Sequence, residues 1–133
     1  MSELKLKIVT PDRVFYDGEI KSIIARGVEG DLMIMKNHTP FVTVLQISEM
    51  KITDLNGKSR MAAIAEGYLT VKKNEVVIMS NACEWADEID VERAQRAKER
   101  AERRIKSASG EDVLKAEIAL KRAINRLEVY KDK

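Results

Sequence analysis

Leu4, Leu6 and Ile8 alternate with Lys5 and Lys7 near the start of the chain, the two-residue period of a strand with one buried face. Thr10-Pro11-Asp12 ends that run as a turn. Val14-Phe15-Tyr16 opens a second strand that Asp17-Gly18 breaks, and Ile20 to Arg26, with β-branched Ile20, Ile23 and Ile24, forms a third. After the loop Gly27-Val28-Glu29-Gly30-Asp31 come short apolar runs at Leu32–Met35, Phe41–Leu45 and Ile47–Thr53. Asn56-Gly57 is a hairpin signal, and Met61–Ile64, Tyr68–Val71 and Val76–Met79 supply further strands. Turns about 8 to 12 residues apart point to a compact antiparallel β-sandwich.

The period changes around Glu88-Ile89-Asp90-Val91-Glu92-Arg93-Ala94. Both prolines and five of the six glycines precede this stretch, and after it come Ala, Glu, Lys and Arg with Gly110 as the one remaining glycine. Asp90 is placed to cap a helix, because its carboxylate can accept from a free backbone N–H of the first turn and sits at the positive end of the helix dipole. The spacing predicts a helix from about Asp90 to Lys106, a connector at Ser107-Ala108-Ser109-Gly110, and a second helix from about Glu111 to Val129. So short a connector makes an antiparallel hairpin. Its seam pairs Ala94, Ala97, Ala101 and Ile105 with Ala116, Leu120, Ala123, Ile124 and Leu127. Alanines remove little apolar area from water, so at about 25 cal/mol per Å² the seam supplies only a few kcal/mol. The fold class is therefore α+β, with a sandwich over residues 1–86 and a helical hairpin over 87–133 that must lean on the sandwich or on a partner.

Charge sharpens this division. Lys and Arg total 24 against 22 Asp and Glu, a formal net charge of +2 that is too balanced for a general nucleic-acid binder. The hairpin also lacks interleaved stacking aromatics, having only Tyr130 near its end. Residues 1–86 carry 11 acidic and 11 basic side chains, whereas the last 47 residues carry 11 and 13, about twice the density. Arg93, Arg96, Arg100, Arg103 and Arg104 recur at three- and four-residue intervals on the first helix, and Arg122 and Arg126 stand one turn apart on the second. Such a row is a solvated face partly compensated by Glu92, Glu99 and Glu102, or a site for an anion or an acidic partner.

Catalytic chemistry is not expected. Cys83 is the only cysteine and reads as a small buried side chain, so no internal disulfide can form and a cytosolic setting fits. His38 is the only histidine, has no Ser or Cys that the sequence places beside it, and cannot build a zinc site with one cysteine. Gly27-Val28-Glu29-Gly30 precedes a strand and lacks the Gly-Lys-Ser/Thr ending of a phosphate loop. The alternating amino terminus argues against a secretory leader, and no apolar run approaches the roughly 18 residues that span a bilayer, so membrane association is expected only through other proteins.

In order along the chain stand Val9-Thr10-Pro11, Glu29-Gly30-Asp31-Leu32 with His38-Thr39-Pro40, Gly67-Tyr68-Leu69-Thr70-Val71, Ile89-Asp90-Val91-Glu92-Arg93-Ala94, and Arg122-Ala123-Ile124-Asn125-Arg126-Leu127. In this order and spacing, over essentially its whole length, the chain resembles the epsilon subunit of bacterial F-type ATP synthase. The resemblance implies a ten-stranded sandwich followed by the two-helix hairpin, in a noncatalytic rotor subunit of the central stalk. Its partners would be the gamma subunit, the c-ring, and the alpha and beta subunits, on the cytoplasmic face of the membrane and coupled to proton or sodium flow.

Carried onto this sequence, Glu29, Gly30, Asp31 and His38 would face the c-ring. Arg96, Arg103, Arg104, Arg122 and Arg126 would meet acidic segments of beta when the hairpin unfolds alongside gamma and blocks ATP hydrolysis. Several relatives bind ATP as a regulatory ligand, with no cofactor required; the matching positions are Glu84, Ile89, Asp90, Arg93, Ala94, Arg100, Arg122 and Arg126. A second function, an ATP-sensing module whose output is hairpin closure, rests on the same arginines. The chain departs from the pattern at Met33, at Met35-Lys36-Asn37 in place of a Leu-Pro-Gly type turn, and at Glu66, where glycine is frequent.

Overall fold

The computed structural model describes residues 3–132, which fold into ten strands and two long helices. The strands are β1 (Leu4–Val9), β2 (Val14–Ile20), β3 (Ser22–Gly27), β4 (Gly30–Met35), β5 (Phe41–Leu45), β6 (Ser48–Thr53), β7 (Ser59–Ile64), β8 (Gly67–Lys72), β9 (Glu75–Ser80) and β10 (Cys83–Trp85). One layer runs β10-β7-β6-β3-β4 and the other β5-β8-β9-β1-β2, joined where Gly27 of β3 faces Leu45 of β5. Every pairing is antiparallel except that of β1 with β9. That parallel pair ties the first strand to the ninth and so closes the second layer.

The alternation seen in the sequence fills the core. Leu4, Leu6 and Ile8 point inward with Ile20, Ile23, Ile34, Leu45, Met50, Ile64, Leu69 and Ile78. The sequence reading departs from the structure at two strands. β2 runs straight through Asp17 and Gly18, which pair with Lys7 and Leu6, and the chain bends at Lys21 instead. A Cβ on Gly18 would lie 3.6 Å from the Tyr16 ring, an ordinary van der Waals contact, so packing does not demand a glycine at this strand position. β10 has three residues, too short to display a period, and it is recognisable only through its pairing with Ala62–Ile64.

The turns account for one family departure and fix the position of another. Asn37 adopts φ 67, a left-handed conformation that asparagine tolerates in place of glycine, and its N–H donates to Asn74 Oδ1 at 2.7 Å across the β8–β9 turn. Gly67 has no freedom to vary. A Cβ there would overlap the carbonyl oxygen of Met79 and come within 2.9 Å of Ser80 Cα. Around it, Ser80 Oγ lies within hydrogen-bond distance of the Ala65, Glu66 and Ala82 carbonyls (3.1, 3.3 and 3.0 Å), and Asn81 N–H donates to Glu66 O at 3.2 Å. The backbone on either side of Glu66 is thus rigidly placed.

After a single 3₁₀ turn at Ala86–Glu88 come α1 (Val91–Ser107) and α2 (Glu111–Lys131). Asp90 caps α1 as expected, accepting from Arg93 N–H at 3.0 Å. Ala94 and Ala101 of α1 and Ala116 and Ala123 of α2 are the buried seam residues, so the helices approach through methyl groups. The hairpin lies against the sandwich chiefly through α2, which packs on β7, β6 and the 3₁₀ turn.

The docking row follows from strand register. Glu84, Ala63 and Glu49 are cross-strand neighbours on β10, β7 and β6, on the layer's outer face. On α2, Arg126 pairs with Glu84, Val129 packs with Ala63 and Ile89, and Asp132 lies against Glu49. The last of these is a like-charge contact. Burial and the Asp132 carboxyl both push the Glu49 carboxyl above its ordinary value, against the nearby Arg26. A carboxyl raised in the folded state stabilises that state below its ordinary pKa and loses this contribution as pH rises through the raised value.

Replacing Glu49 with Gln is therefore expected to raise stability at neutral pH and to leave it little changed in acid, measured by urea denaturation at pH 7 and pH 4. Gly67→Ala is expected to cost about 2 kcal/mol or more in the same measurement, because the Met79 backbone must move to admit the methyl group.

Candidate functional site

A cleft of about 380 Å³ lies where the hairpin meets the sandwich. The β1–β2 turn contributes Thr10, Asp12 and Arg13, the β10 region Cys83, Glu84 and Glu88, and the helices Asp90, Arg93, Ala94 and Arg126. Five of the residues that the family pattern assigns to ATP (Glu84, Asp90, Arg93, Ala94 and Arg126) come together here. Ile89 does not line the cleft; it is buried against Ala63, Ala86 and Val129, where it supports the start of α1. Arg100 lies further along α1, exposed to solvent and outside the cleft. Arg122 borders a smaller neighbouring cavity of about 40 Å³ that it shares with Glu84, Asn125 and Arg126.

The two α2 arginines are already engaged. Arg126 Nε donates to Glu84 Oε1 at 2.6 Å, and Arg122 donates through Nε and Nη2 to a single oxygen of Glu66 at 3.1 and 2.7 Å. Between them Asn125 Nδ2 donates to the Ser48 carbonyl at 2.8 Å. These three positions, one helical turn in extent, form a polar clasp between α2 and the sandwich. Burial pulls the Glu66 carboxyl upward, but a backbone N–H and the Arg122 guanidinium outweigh it and hold the group below its ordinary value.

Arg13 and Glu88 were not legible as site residues. They lie 75 positions apart in sequence, yet Arg13 donates to Glu88 at 3.0 and 3.3 Å and reaches the Cys83 carbonyl at 3.5 Å. The Arg13 guanidinium holds Glu88 below its usual carboxylate range, against the opposing effect of burial. Glu88 Oε1 also accepts from Trp85 N–H at 3.0 Å, while Arg60 lies 3.7 Å over the Trp85 ring and 3.6 Å from Asp87. The 3₁₀ turn is thereby pinned to the sandwich on both sides. Cys83 belongs to the core, and burial pushes its thiol up to about 12, far from the thiolate a nucleophile needs.

On α1 the arginine row is unspent. Among the described residues, none of the guanidiniums of Arg93, Arg96, Arg100, Arg103 and Arg104 forms an ion pair, so the compensation expected from Glu92, Glu99 and Glu102 is not made. Arg103 borders a shallow groove with Glu99, Glu102 and Leu120, while Arg96 and Arg104 point to solvent.

The candidate ring-contact residues are divided. Glu29, Gly30 and Asp31 form the β3–β4 turn, where Asp31 pairs with Arg26 at 2.8 Å. His38 follows the other end of β4, its Nδ1 at 2.7 Å from the Thr39 carbonyl oxygen and its ring edge-on to Phe41. Six strand residues separate the two ends, a span of about 20 Å. On the layer opposite the hairpin, Val44, Tyr68 and Met79 are successive cross-strand neighbours, all exposed, and Val42 beside them is 70% exposed. They form a contiguous apolar face.

Comparison with known proteins bears on this arrangement. Residues 3–86 match the family model for the ATP synthase delta/epsilon chain β-sandwich domain, and residues 87–131 match that for its long α-helix domain. Curated relatives described as the ATP synthase epsilon chain include that of Clostridium kluyveri, 41% identical over 96% of this chain and 97% of the relative. That of Alkaliphilus oremlandii is 50% identical over 83% of this chain and 81% of the relative. Among solved structures, a chain of the Euglena gracilis mitochondrial ATP synthase OSCP/F1/c-ring assembly superposes with a TM-score of 0.82 at 22% identity, covering 94% of this chain and 79% of that one. Matched along nearly its whole length, the chain belongs to the ATP synthase delta/epsilon family and is an epsilon-type, noncatalytic subunit of that enzyme.

Proposed function

We propose that this chain is a rotor subunit that helps couple ion translocation to ATP synthesis, and that its hairpin is a switch restraining ATP hydrolysis. The observation that carries the switch is the contrast between the two helices. α2 is held to the sandwich by three polar contacts at positions 122, 125 and 126, whereas the arginines of α1 are exposed and form no ion pair among the described residues. Two ion pairs that are each about a third exposed contribute on the order of 1 kcal/mol or less apiece, so the hold is weak enough to release. Once α2 is released, Arg122 and Arg126 join Arg96, Arg103 and Arg104 as cations available to acidic segments of the beta subunit.

The solved assembly that resembles this fold contains F1 and a c-ring, which supports gamma, the c-ring, alpha and beta as partners. The apolar face of Val42, Val44, Tyr68 and Met79 is suited to a lasting protein interface and is assigned to gamma. The ring contact falls to the β3–β4 turn, where Val28 is exposed beside Glu29 and Asp31; His38, at the other end of β4, cannot share one compact contact with it. As a peripheral subunit, the chain sits on the cytoplasmic face through these partners.

A second reading, ATP as a regulatory ligand, is favoured by the cleft itself. Arg13, Arg93 and Arg126 border it with Asp90 and Glu84, offering cations for phosphates and carboxylates for a base or ribose. A ligand that binds only the folded hairpin at 100 times its Kd stabilises that state by about 2.7 kcal/mol, enough to outweigh either clasp pair.

Reconstituting the F1 complex with Arg96, Arg103 and Arg104 all changed to Ala is expected to raise ATP hydrolysis severalfold over the complex with the unaltered subunit. Unchanged hydrolysis would remove α1 from the inhibitory contact. Calorimetric titration of the full chain with ATP is expected to give saturable binding that disappears in the Arg122→Ala, Arg126→Ala double variant. Absence of heat at millimolar ATP would retire the nucleotide and leave a switch governed by assembly alone.

A further inference from the structure

Glu66 is the least expected member of the clasp. It sits at the β7–β8 junction, beside a glycine that admits no side chain, on backbone fixed by Asn81 N–H and approached by the Ser80 hydroxyl. Its carboxylate receives both Nε and Nη2 of Arg122 on one oxygen. A guanidinium donates charge-assisted N–H···O bonds of the same kind to a phosphate oxygen. We propose that Glu66 is a tethered anion standing in for a ligand phosphate at Arg122, so that one carboxylate latches the empty hairpin shut and competes with any anionic ligand for the same arginine. This inference rests on the nucleotide reading for the identity of the competitor, but the latch itself does not.

The competition has a quantitative signature. Consider three states of the free chain: hairpin open, closed with Arg122 free, and closed with Arg122 on Glu66. The ligand binds the second state. Removing the Glu66 charge abolishes the third, so the populations of the first and second rise by one common factor. The open fraction and the ligand association constant must then increase together and equally. No direct contact between Glu66 and the ligand gives that result. Were Glu66 part of the ligand site, its removal would raise the open fraction and lower the association constant. Were it an inert surface group, neither would move.

The site is built for such a role. Because the Glu66 backbone is rigid, its carboxylate is presented at high effective concentration with little entropy left to lose. Arg126 has a comparable pair in Glu84, but Glu84 also lines the main cleft and is open to a role in ligand binding. Glu66 lies outside that cleft, which makes it the cleaner competitor.

The test uses the full chain as wild type, Glu66→Gln and Glu66→Gly. Amide hydrogen exchange along α2 reads the open fraction, calorimetry with ATP reads the association constant, and near-ultraviolet circular dichroism checks that the sandwich remains folded. Both variants are expected to raise exchange and to tighten ATP binding by the same factor, about two- to fivefold, the range a partly exposed ion pair carries. A weaker association constant in the variants, or no change in exchange, overturns the proposal. If wild type binds no ATP at all, the nucleotide reading fails separately; faster α2 exchange in both variants then upholds the latch, and unchanged exchange ends it.

Discussion

The hairpin is tied to the sandwich by charge on a face that strand register prepared. Glu84, Ala63 and Glu49 stand side by side on three neighbouring strands, and α2 crosses them with Arg126, Val129 and Asp132. Only the middle contact is apolar. The outer ones are an attraction at Glu84 and a repulsion at Glu49, so the α2 terminus is held less firmly than its centre. A sandwich core of Leu, Ile and Val side chains cannot be exchanged for solvent without unfolding the domain. A docking face of this kind can be, and that difference is the physical basis of the proposed switch.

The sandwich treats its two outer faces differently. One is covered by α2; the other keeps Val44, Tyr68 and Met79 in an uninterrupted row across β5, β8 and β9. Apolar outward positions on central strands cost little in folding but carry a standing liability toward association. Their position away from the hairpin means that a partner bound there leaves α2 free to move. The exposed apolar row and the helix-covered face thus lie on opposite layers, as the proposed division between attachment and switching requires.

Much of this was legible because it is local. Alternation at Leu4, Leu6 and Ile8 gave the strand and its inward face, Asp90 marked the start of α1 and Gly110 that of α2, and the alanine spacing identified the seam. The family pattern gathered Glu84, Asp90, Arg93, Ala94 and Arg126, and the structure brings those five to one cleft. What escaped is nonlocal. Glu66 and Arg122 are 56 residues apart, Arg13 and Glu88 are 75 apart, and no periodicity relates either pair. β10 escaped for the opposite reason, being too short to repeat anything. Asp17-Gly18 misled because turn residues are tolerated in a strand paired on one side only.

In the proposed switch, the junction decides the order in which the two helices leave. Asp87 and Glu88 are held by Arg60 and Arg13, and both arginines rest on the Trp85 and Phe15 rings, which lie 4.4 Å apart. Charge and aromatic stacking thus reinforce each other at the base of α1, where neither depends on the hairpin. α1 reaches the sandwich mainly through this base and through α2. Releasing α1 first would have to break the pinned turn as well as the alanine seam. Releasing α2 first requires only the clasp, Val129 and the seam, and the repulsion between Glu49 and Asp132 already favours it at neutral pH. The cheapest path therefore starts at α2, and the residues that set its cost are Glu66, Ser48 and Glu84 on the sandwich side.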